Sequence, residues 1–341
     1  MTTTSDLAAG AQGSWRRFLE TYEPLRSQLY RYCRYLTRSP WDAEDLTQDA
    51  LARAFVTLAR MHGQEPAHPR AWLFRIASNL WIDETRRRRE TPAGHAPEPV
   101  GPPSAAVEPR AAREAAGTLL VTLSPQERAA VVLKDVFDLS LEEIAESLGT
   151  TAGAVKTALH RGRGKLAQET TPAPAFAAAP VPAALDAFCA AFNAGDLDRL
   201  TALLLDTAVV EVVGAATQYG PEAARRTVLT GMLFGMKILA DPGAREMFDD
   251  RFVEGALPVP PRVEARFHRG RWLLLSWYRH ADGVEAVRAV TTLSLDGDRV
   301  ARLENYFYNP DFLVDIGGEL DVPVRVNGHR WCKPDAQEVR S

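Results

Sequence analysis

The stretch SPQERAAVVLKDVFDLSLEEIAESLG, residues 124–149, carries the most specific structural signals in this chain. Ser124 and Ser140 are each followed three residues later by a glutamate, and this spacing is the capping-box signature of a helix start. Gly149 can adopt the left-handed conformation that ends a helix. The stretch therefore predicts two short helices followed by a glycine turn.

A third helix is predicted from Thr151, and no acidic residue occurs between Glu146 and Glu169. A short helix, a turn and a cationic helix are typical of a helix-turn-helix, whose last helix can enter the major groove of DNA. Gly162 and Gly164 should weaken that helix by about 1 kcal/mol each relative to alanine. The alternative is a merely solvated basic helix. The predicted DNA contacts are Lys156, Thr157, His160, Arg161 and Arg163.

The segment before this stretch is predicted to be helical from residue 14 to residue 90. Ser39-Pro40-Trp41-Asp42 combines an N-cap, a proline at the first helical position and an early carboxylate, which together predict a helix start. Apolar residues recur with helical spacing through this helix and through a later one that ends in Arg86–Arg89. We predict a small helical bundle.

Two proline-containing stretches, 91–117 and 169–182, read as linkers and divide the chain into blocks. The first two blocks, 14–90 and 118–168, are all-α. The third, 183–315, begins with short helices and continues as strands joined by Arg269-Gly270, Asp282-Gly283 and Asp296-Gly297, which are good hairpin turns. This order predicts an α+β domain with helices on one face of a curved sheet, followed by a tail at 316–341.

Bulk properties narrow the class of protein. The 341 residues are 46% hydrophobic and 25% charged, which is ordinary for a folded multidomain protein. No run approaches the ~18 apolar residues of a membrane span, and no secretory leader is evident, so we expect a cytoplasmic protein without membrane contact.

The net charge of −4 hides local basic clusters. Cys33, Cys189 and Cys332 show no metal-ligand spacing, and we expect reduced thiols, no metal and no cofactor.

Three long segments resemble a known family. The sequences WDAEDLTQDALARAF (41–55) and PRAWLFRIASNLWIDETRRRR (69–89) resemble region 2 of extracytoplasmic-function (ECF) RNA polymerase sigma factors. The sequences LSPQERAAVVL (123–133) and SLEEIAESLG (140–149) resemble region 4 of the same family.

The resemblance implies a role for each block. Region 2 would bind the β′ clamp of core RNA polymerase and region 4 the β flap. The implied core-binding residues are Asp45, Gln48, Asp49 and Arg53, for which the alternative is a solvated helix face. Region 2 would also read and melt the promoter minus-10 element through Arg75, Asn79, Arg86 and Arg87, with Asn79 at the family's base-recognition position. The residues predicted above to contact DNA would then read the minus-35 element.

The third block resembles SnoaL-like domains of the cone-shaped nuclear-transport-factor family. The segments that carry the resemblance are FCAAFNAGDLDRL (188–200), YGPE (219–222) and VARLENYFYNP (300–310). Such domains are fused to one branch of ECF sigma factors as built-in regulators, and their cone can enclose a small ligand. This chain departs from that branch, because VGAA (213–216) stands in place of a DGGGK signature and a Pro/Ala linker in place of a WLPEPL-type one.

Some cone-fold relatives are enzymes that use an aspartate/histidine pair. The candidates here would be Glu211, His268, His280 and Asp282, but no signature surrounds them, and structural roles are favoured. We therefore predict no catalytic residues and no enzyme. The sequence predicts a promoter-specific sigma factor whose activity is modulated by a fused SnoaL-like domain. The alternatives are a SnoaL-like cyclase or isomerase, and a DNA-binding regulator that does not use core polymerase.

Overall fold

A computed structural model of the chain describes residues 18, 20–61, 66–90, 123–166, 180–233, 261–280 and 282–326. The chain divides into two compact units, Met1–Pro174 and Ala175–Ser341. The division falls within the predicted linker at 169–182. Most of the other predicted linker, 91–117, lies outside the described residues.

The first part of the N-terminal unit is a helical bundle, as predicted. A 3₁₀ turn, Glu23–Leu25, leads into α1 (Arg26–Thr37), which is followed by α2 (Pro40–Arg60) and α3 (Pro69–Glu90). The predicted cap forms, because the Ser39 side chain accepts a hydrogen bond from the Asp42 amide at 3.3 Å. The bundle buries one apolar face of each helix: Leu29, Cys33 and Leu36 from α1, Leu46, Ala50 and Ala54 from α2, and Leu73 and Ala77 from α3.

The second part of the N-terminal unit is a helix-turn-helix. It consists of α4 (Pro125–Asp135), α5 (Leu141–Leu148) and α6 (Ala152–Leu166). Both capping boxes are complete, at Ser124 with Glu127 and at Ser140 with Glu143. Gly149 ends α5 with φ 61°, the left-handed conformation that glycine adopts at little cost. These local predictions are confirmed.

The C-terminal unit combines helices with one sheet. Its elements in chain order are α7 (Ala183–Asn193), α8 (Leu197–Ala202), β1 (Leu204–Val212), β2 (Ala216–Tyr219), α9 (Pro221–Ala224) with a π-helical turn at Arg225–Leu229, β3 (Arg262–His268), β4 (Arg271–Arg279), β5 (Glu285–Asp296), β6 (Arg299–Asn305) and α10 (Pro310–Leu320). The predicted helix from Pro221 to Leu239 is described only as far as Leu233.

The six strands lie in the order β2-β1-β6-β5-β4-β3. Strands β3 to β6 form the predicted antiparallel meander. Strand β1, however, pairs parallel to β6, so the sheet is mixed. The helices α7 and α8, α9 and its π-helical turn share a core with the sheet through residues such as Phe188, Phe192, Leu200, Leu274 and Leu303. This is the predicted α+β architecture.

Helix α10 departs from the prediction of helices on one face only. Its Glu319 bonds to His268. Side chains alternate between faces along a strand, so His268 lies on the face opposite Val263 and Ala265, which belong to or pack against the shared core. Helix α10 therefore packs on the other face of the sheet.

The end of the C-terminal unit also differs from the predicted boundary. The boundary after residue 315 falls inside α10, and the chain beyond this helix still pairs with the sheet, because Val287 donates its amide to Pro323 O at 2.8 Å. Strand β6 ends at Asn305 rather than at the predicted Tyr308, since Asn309 opens α10 as its N-cap residue. The described part of the tail thus belongs to the domain.

Candidate protein- and DNA-binding interfaces

The predicted core-binding residues lie on the outer side of α2. Asp45, Asp49 and Arg53 are exposed, and Gln48 is half-buried. Gln48 donates a hydrogen bond to Glu44 Oε1 at 2.9 Å. Because Glu44 is buried at 1% exposure and forms an ion pair with Arg26 of α1, it holds Gln48 in a defined orientation. The structure brings all four predicted residues onto one accessible surface.

The surroundings of Asp49 disfavour the ionised form of its carboxyl group. Although the side chain is exposed to solvent, desolvation by the neighbouring protein atoms, followed by repulsion from Glu84 of α3, raises its pKa above the usual range. Burial and a like charge both disfavour the ionised form. A cationic group placed beside this carboxylate would offset both effects by favouring its ionised form.

The predicted minus-10 residues lie along the exposed side of α3. Arg75, Asn79, Arg86 and Arg87 are all exposed. The opposite side of the helix is anchored in the bundle, where Ser78 Oγ lies 2.7 Å from Tyr32 Oη. Arg86 also contacts Asp83 Oδ1, at 3.4 Å, but this ion pair is solvent-exposed and weak. The α3 surface therefore offers cations and one amide on a rigid support.

The predicted minus-35 residues lie on α6. Val155 and Leu159 face the helix-turn-helix core, whereas Lys156, Thr157, His160 and Arg161 are exposed. This is the amphipathic arrangement that a DNA-reading helix requires, with apolar residues inward and donors outward.

Arg163 differs from the other predicted minus-35 residues. Its guanidinium donates two hydrogen bonds to the Asp135 carboxylate of α4, with Nε 3.3 Å from Oδ2. The neighbouring cation Lys165 lies 2.7 Å from Glu127 Oε2, also on α4. Both cations therefore attach α6 to α4. The sequence could not show this, because Asp135 is 28 residues away from Arg163.

The structure also brings two of the predicted surfaces together. A β-carbon added at Gly149, in the turn before α6, would lie 3.7 Å from Arg75 Nη2 on α3. The helix-turn-helix thus rests against the α3 surface that carries the predicted minus-10 residues.

In the C-terminal unit, three of the four acid/base candidates bond to side chains in structural positions. Glu211 pairs with Arg302 at 2.7 Å, His268 lies 2.6 Å from Glu319, and Asp282 pairs with Arg325. The fourth, His280, is buried at 1% exposure. These contacts agree with the structural roles favoured by the sequence.

Sequence reasoning missed two features of the N-terminal unit. The buried pair Arg26–Glu44 joins two helices, and nothing local in the sequence indicates it. Phe137, in the turn after α4, packs against Phe74 with ring centroids 5.2 Å apart. Phe137 follows Leu133 at helical spacing, and this continuation of the apolar period was the available signal.

Cys33 and Cys189 are free thiols, as predicted, and burial raises the pKa of Cys33 to about 12. Cys332 lies outside the described residues. Within the described ranges, no group of His, Cys, Asp and Glu side chains is arranged to hold a metal ion. No helix in the described part of the chain is long and apolar enough to cross a membrane.

Two family models match the chain. Sigma-70 region 2 matches residues 21–91, and Sigma-70, region 4 matches residues 113–166. The RNA polymerase sigma-E factor of Streptomyces coelicolor is 35% identical over 159 residues, which are 46% of this chain and 88% of that protein.

Two further similarities involve Mycobacterium tuberculosis proteins. The ECF RNA polymerase sigma factor SigG is 33% identical over 223 residues, and the match spans 56% of this chain and 60% of SigG. This chain is also similar to the crystal structure of the extracytoplasmic function sigma factor SigJ, with 25% sequence identity and a TM-score of 0.32. The match covers 87% of this chain and 98% of the SigJ chain.

Proposed function

This chain belongs to the family of ECF RNA polymerase sigma factors, and we propose that it binds core RNA polymerase and directs promoter-specific initiation of transcription. The observation that carries the proposal is that one compact unit presents two accessible surfaces of different chemistry. The surface of α2 carries the carboxylates of Asp45 and Asp49 and the amide of Gln48, whereas the surface of α6 carries Lys156 and Arg161. A cytoplasmic location follows, because core polymerase acts there.

In this proposal, residues 14–90 are region 2 and residues 118–168 are region 4. Region 2 would bind the β′ clamp through Asp45, Gln48, Asp49 and Arg53, and region 4 would bind the β flap. The proximity of the Asp49 and Glu84 carboxylates, which contributes to the raised pKa of Asp49, supports an interface with a cationic partner, since a cation would offset their repulsion. Binding would thus stabilise the ionised form of Asp49.

Promoter DNA would be read at two places. Asn79 would hold a base of the minus-10 element, since an amide presents a donor and an acceptor together. Arg75, Arg86 and Arg87 would contact phosphates, which position DNA without specifying its sequence. On α6, Lys156, Thr157, His160 and Arg161 are the proposed minus-35 contacts.

The SnoaL-like domain would modulate this activity, through an intramolecular contact or through a small ligand in its cone.

The test of the proposed function is in vitro transcription with purified bacterial core polymerase on a genomic promoter library. We expect defined start sites from the full chain and a changed yield or promoter choice from a truncation after Gln168. If neither protein binds core polymerase or starts transcription, the proposed function is wrong.

The Arg163–Asp135 pair leads to a sharper prediction about α6. Arg161→Ala should weaken promoter binding by the polymerase complex and lower the slope of log affinity against log salt by about 1, as expected when one phosphate contact is lost. Arg163→Ala should have a smaller effect, because its guanidinium already bonds to Asp135.

The measurement is a potassium chloride titration of promoter affinity for both variants and the wild type. Thr157→Ala is a useful comparison, since removing a hydroxyl group, which carries no charge, should leave the salt slope unchanged. If Arg161→Ala and Arg163→Ala lower promoter affinity equally, the assignment of Arg163 to a structural role is wrong.

A further inference from the structure

A buried ion pair lies directly beneath the α2 surface that is proposed to bind core polymerase. Arg26 of α1 donates through Nη2 to Glu44 Oε1 of α2, and both residues are buried. Gln48, one turn further along α2, donates through Nε2 to the same oxygen at 2.9 Å. The three side chains thus connect the α1–α2 interface to the surface, and we call them the Arg26 relay.

The relay fixes the direction of the Gln48 amide. A carboxylate paired with a guanidinium has only acceptor oxygens to offer, so the part of the Gln48 amide that meets Glu44 must be the NH2 donor. The carbonyl oxygen of the same planar amide then points away from Glu44. Gln48 is half-buried, and its acceptor end is therefore the end turned toward a partner.

The neighbouring positions on α2 have the same chemistry. Asp45 and Asp49 lie on either side of Gln48 along this surface, both are exposed, and an ionised carboxylate accepts hydrogen bonds without donating any. With the Gln48 carbonyl turned outward, this part of the surface offers acceptor oxygens at all three positions. It is complementary to a partner that presents hydrogen-bond donors, such as arginine, lysine or backbone N–H groups.

We propose that Arg26 and Glu44 are positioning residues for core binding: they orient the Gln48 amide so that its carbonyl oxygen meets a hydrogen-bond donor of core polymerase. The proposal rests on the proposed function. Without the relay the Gln48 side chain would rotate more freely, and ordering a released side chain at an interface costs affinity. Glu44 is 1% exposed, so it acts through Gln48 rather than by touching the partner.

The first measurement is the affinity of the full chain for immobilised core polymerase, by biolayer interferometry. Glu44→Ala should lower this affinity about two- to tenfold, the cost of ordering one freed side chain. Glu44→Met, which fills more of the buried volume and also lacks an acceptor oxygen, should do the same. Glu44→Gln keeps an oxygen that can accept from Gln48, and it should retain most of the affinity although it lacks the charge that compensates Arg26.

A matched control separates positioning from stability. Leu73 is fully buried in α3 and lies outside the relay, and its replacement by alanine destabilises the same bundle by leaving a cavity. We expect Leu73→Ala to bind core polymerase as tightly as the wild type. An equal loss of affinity in Leu73→Ala and Glu44→Ala would mean that stability alone is responsible, and it would overturn the proposal.

The second measurement is a double-mutant cycle. Gln48→Ala removes the residue through which the relay acts, so adding Glu44→Ala to it should cause no further loss of affinity, while the urea midpoint still falls. Losses that multiply in the double variant would show that Glu44 acts independently of Gln48. That result, or wild-type affinity in both Glu44→Ala and Glu44→Met, would overturn the positioning role.

The third measurement addresses the chemistry of the partner group. The ammonium group in Gln48→Lys only donates, so opposite a donor it should weaken binding more than Gln48→Ala does. Wild-type affinity in Gln48→Lys would overturn the assignment of a donor to the partner.

Transcription is measured on the same proteins. If the wild type binds core polymerase and initiates but Glu44→Ala binds equally well, only the positioning role is wrong. If the wild type does neither, the proposed function is wrong and the positioning role with it.

Discussion

Replacing Glu44 with alanine is expected to lower the free energy of unfolding of the N-terminal unit by about 3 kcal/mol. Glu44 is 1% exposed and forms an ion pair with Arg26, which is itself buried. Removal of one member of a buried ion pair leaves the charge of the other without its compensating carboxylate. Gln48 also loses the acceptor that orients it.

The measurement is urea denaturation of a fragment that ends at Gln168, followed by circular dichroism. Glu84→Ala is the matched control, because Glu84 is a half-exposed carboxylate that pairs with Arg88 on the surface of the same bundle. Such a pair contributes about 1 kcal/mol or less. Similar losses in the two variants would show that the Arg26–Glu44 pair is not a specific source of stability.

Two alanine substitutions on α6 are expected to change stability in opposite directions. Gly162→Ala should destabilise the helix-turn-helix by up to about 2 kcal/mol, since overpacking costs about 1–3 kcal/mol and the gain in helix propensity returns about 1 kcal/mol. An added β-carbon at Gly162 would lie 2.9 Å from Val131 Cγ2 on α4, within a buried interface. Gly164→Ala should stabilise α6 by about 1 kcal/mol, because nothing lies within 4 Å of its added β-carbon.

The comparison is made by urea denaturation of the same fragment. Combining Gly162→Ala with Val131→Ala should recover part of the loss, because the second substitution removes the clashing methyl group. If both glycine variants are stabilised, helix propensity alone governs α6, and the close approach at Gly162 is unimportant.

These glycines illustrate the limit of sequence reasoning. Both were predicted to weaken α6 equally, as helix propensity requires. The structure separates them, because Gly162 packs against Val131 of α4 and Gly164 faces open space. Propensity depends on the residue alone, whereas the cost of a β-carbon depends on a neighbour that the fold supplies.

The amino-acid sequence by itself determined the local structure of the N-terminal unit. The capping boxes at Ser124 and Ser140, the cap at Ser39 and the left-handed Gly149 all formed as predicted. Each depends on residues within four or five positions of one another, so their signals are visible in a short stretch of chain. The hairpin turns of the β3–β6 meander were predicted from equally local signals, the glycines at 270, 283 and 297.

Only the tertiary structure decided which of these pieces meet. The parallel pairing of β1 with β6 joins strands about 90 residues apart, and Glu319 of α10 bonds to His268 and Arg269 across 51 and 50 positions. Phe137, in the turn after α4, likewise packs against Phe74 of α3, 63 positions earlier in the chain. Such contacts depend on burial, shape and charge in three dimensions, and residues far apart in the chain carry no shared local pattern that would reveal them.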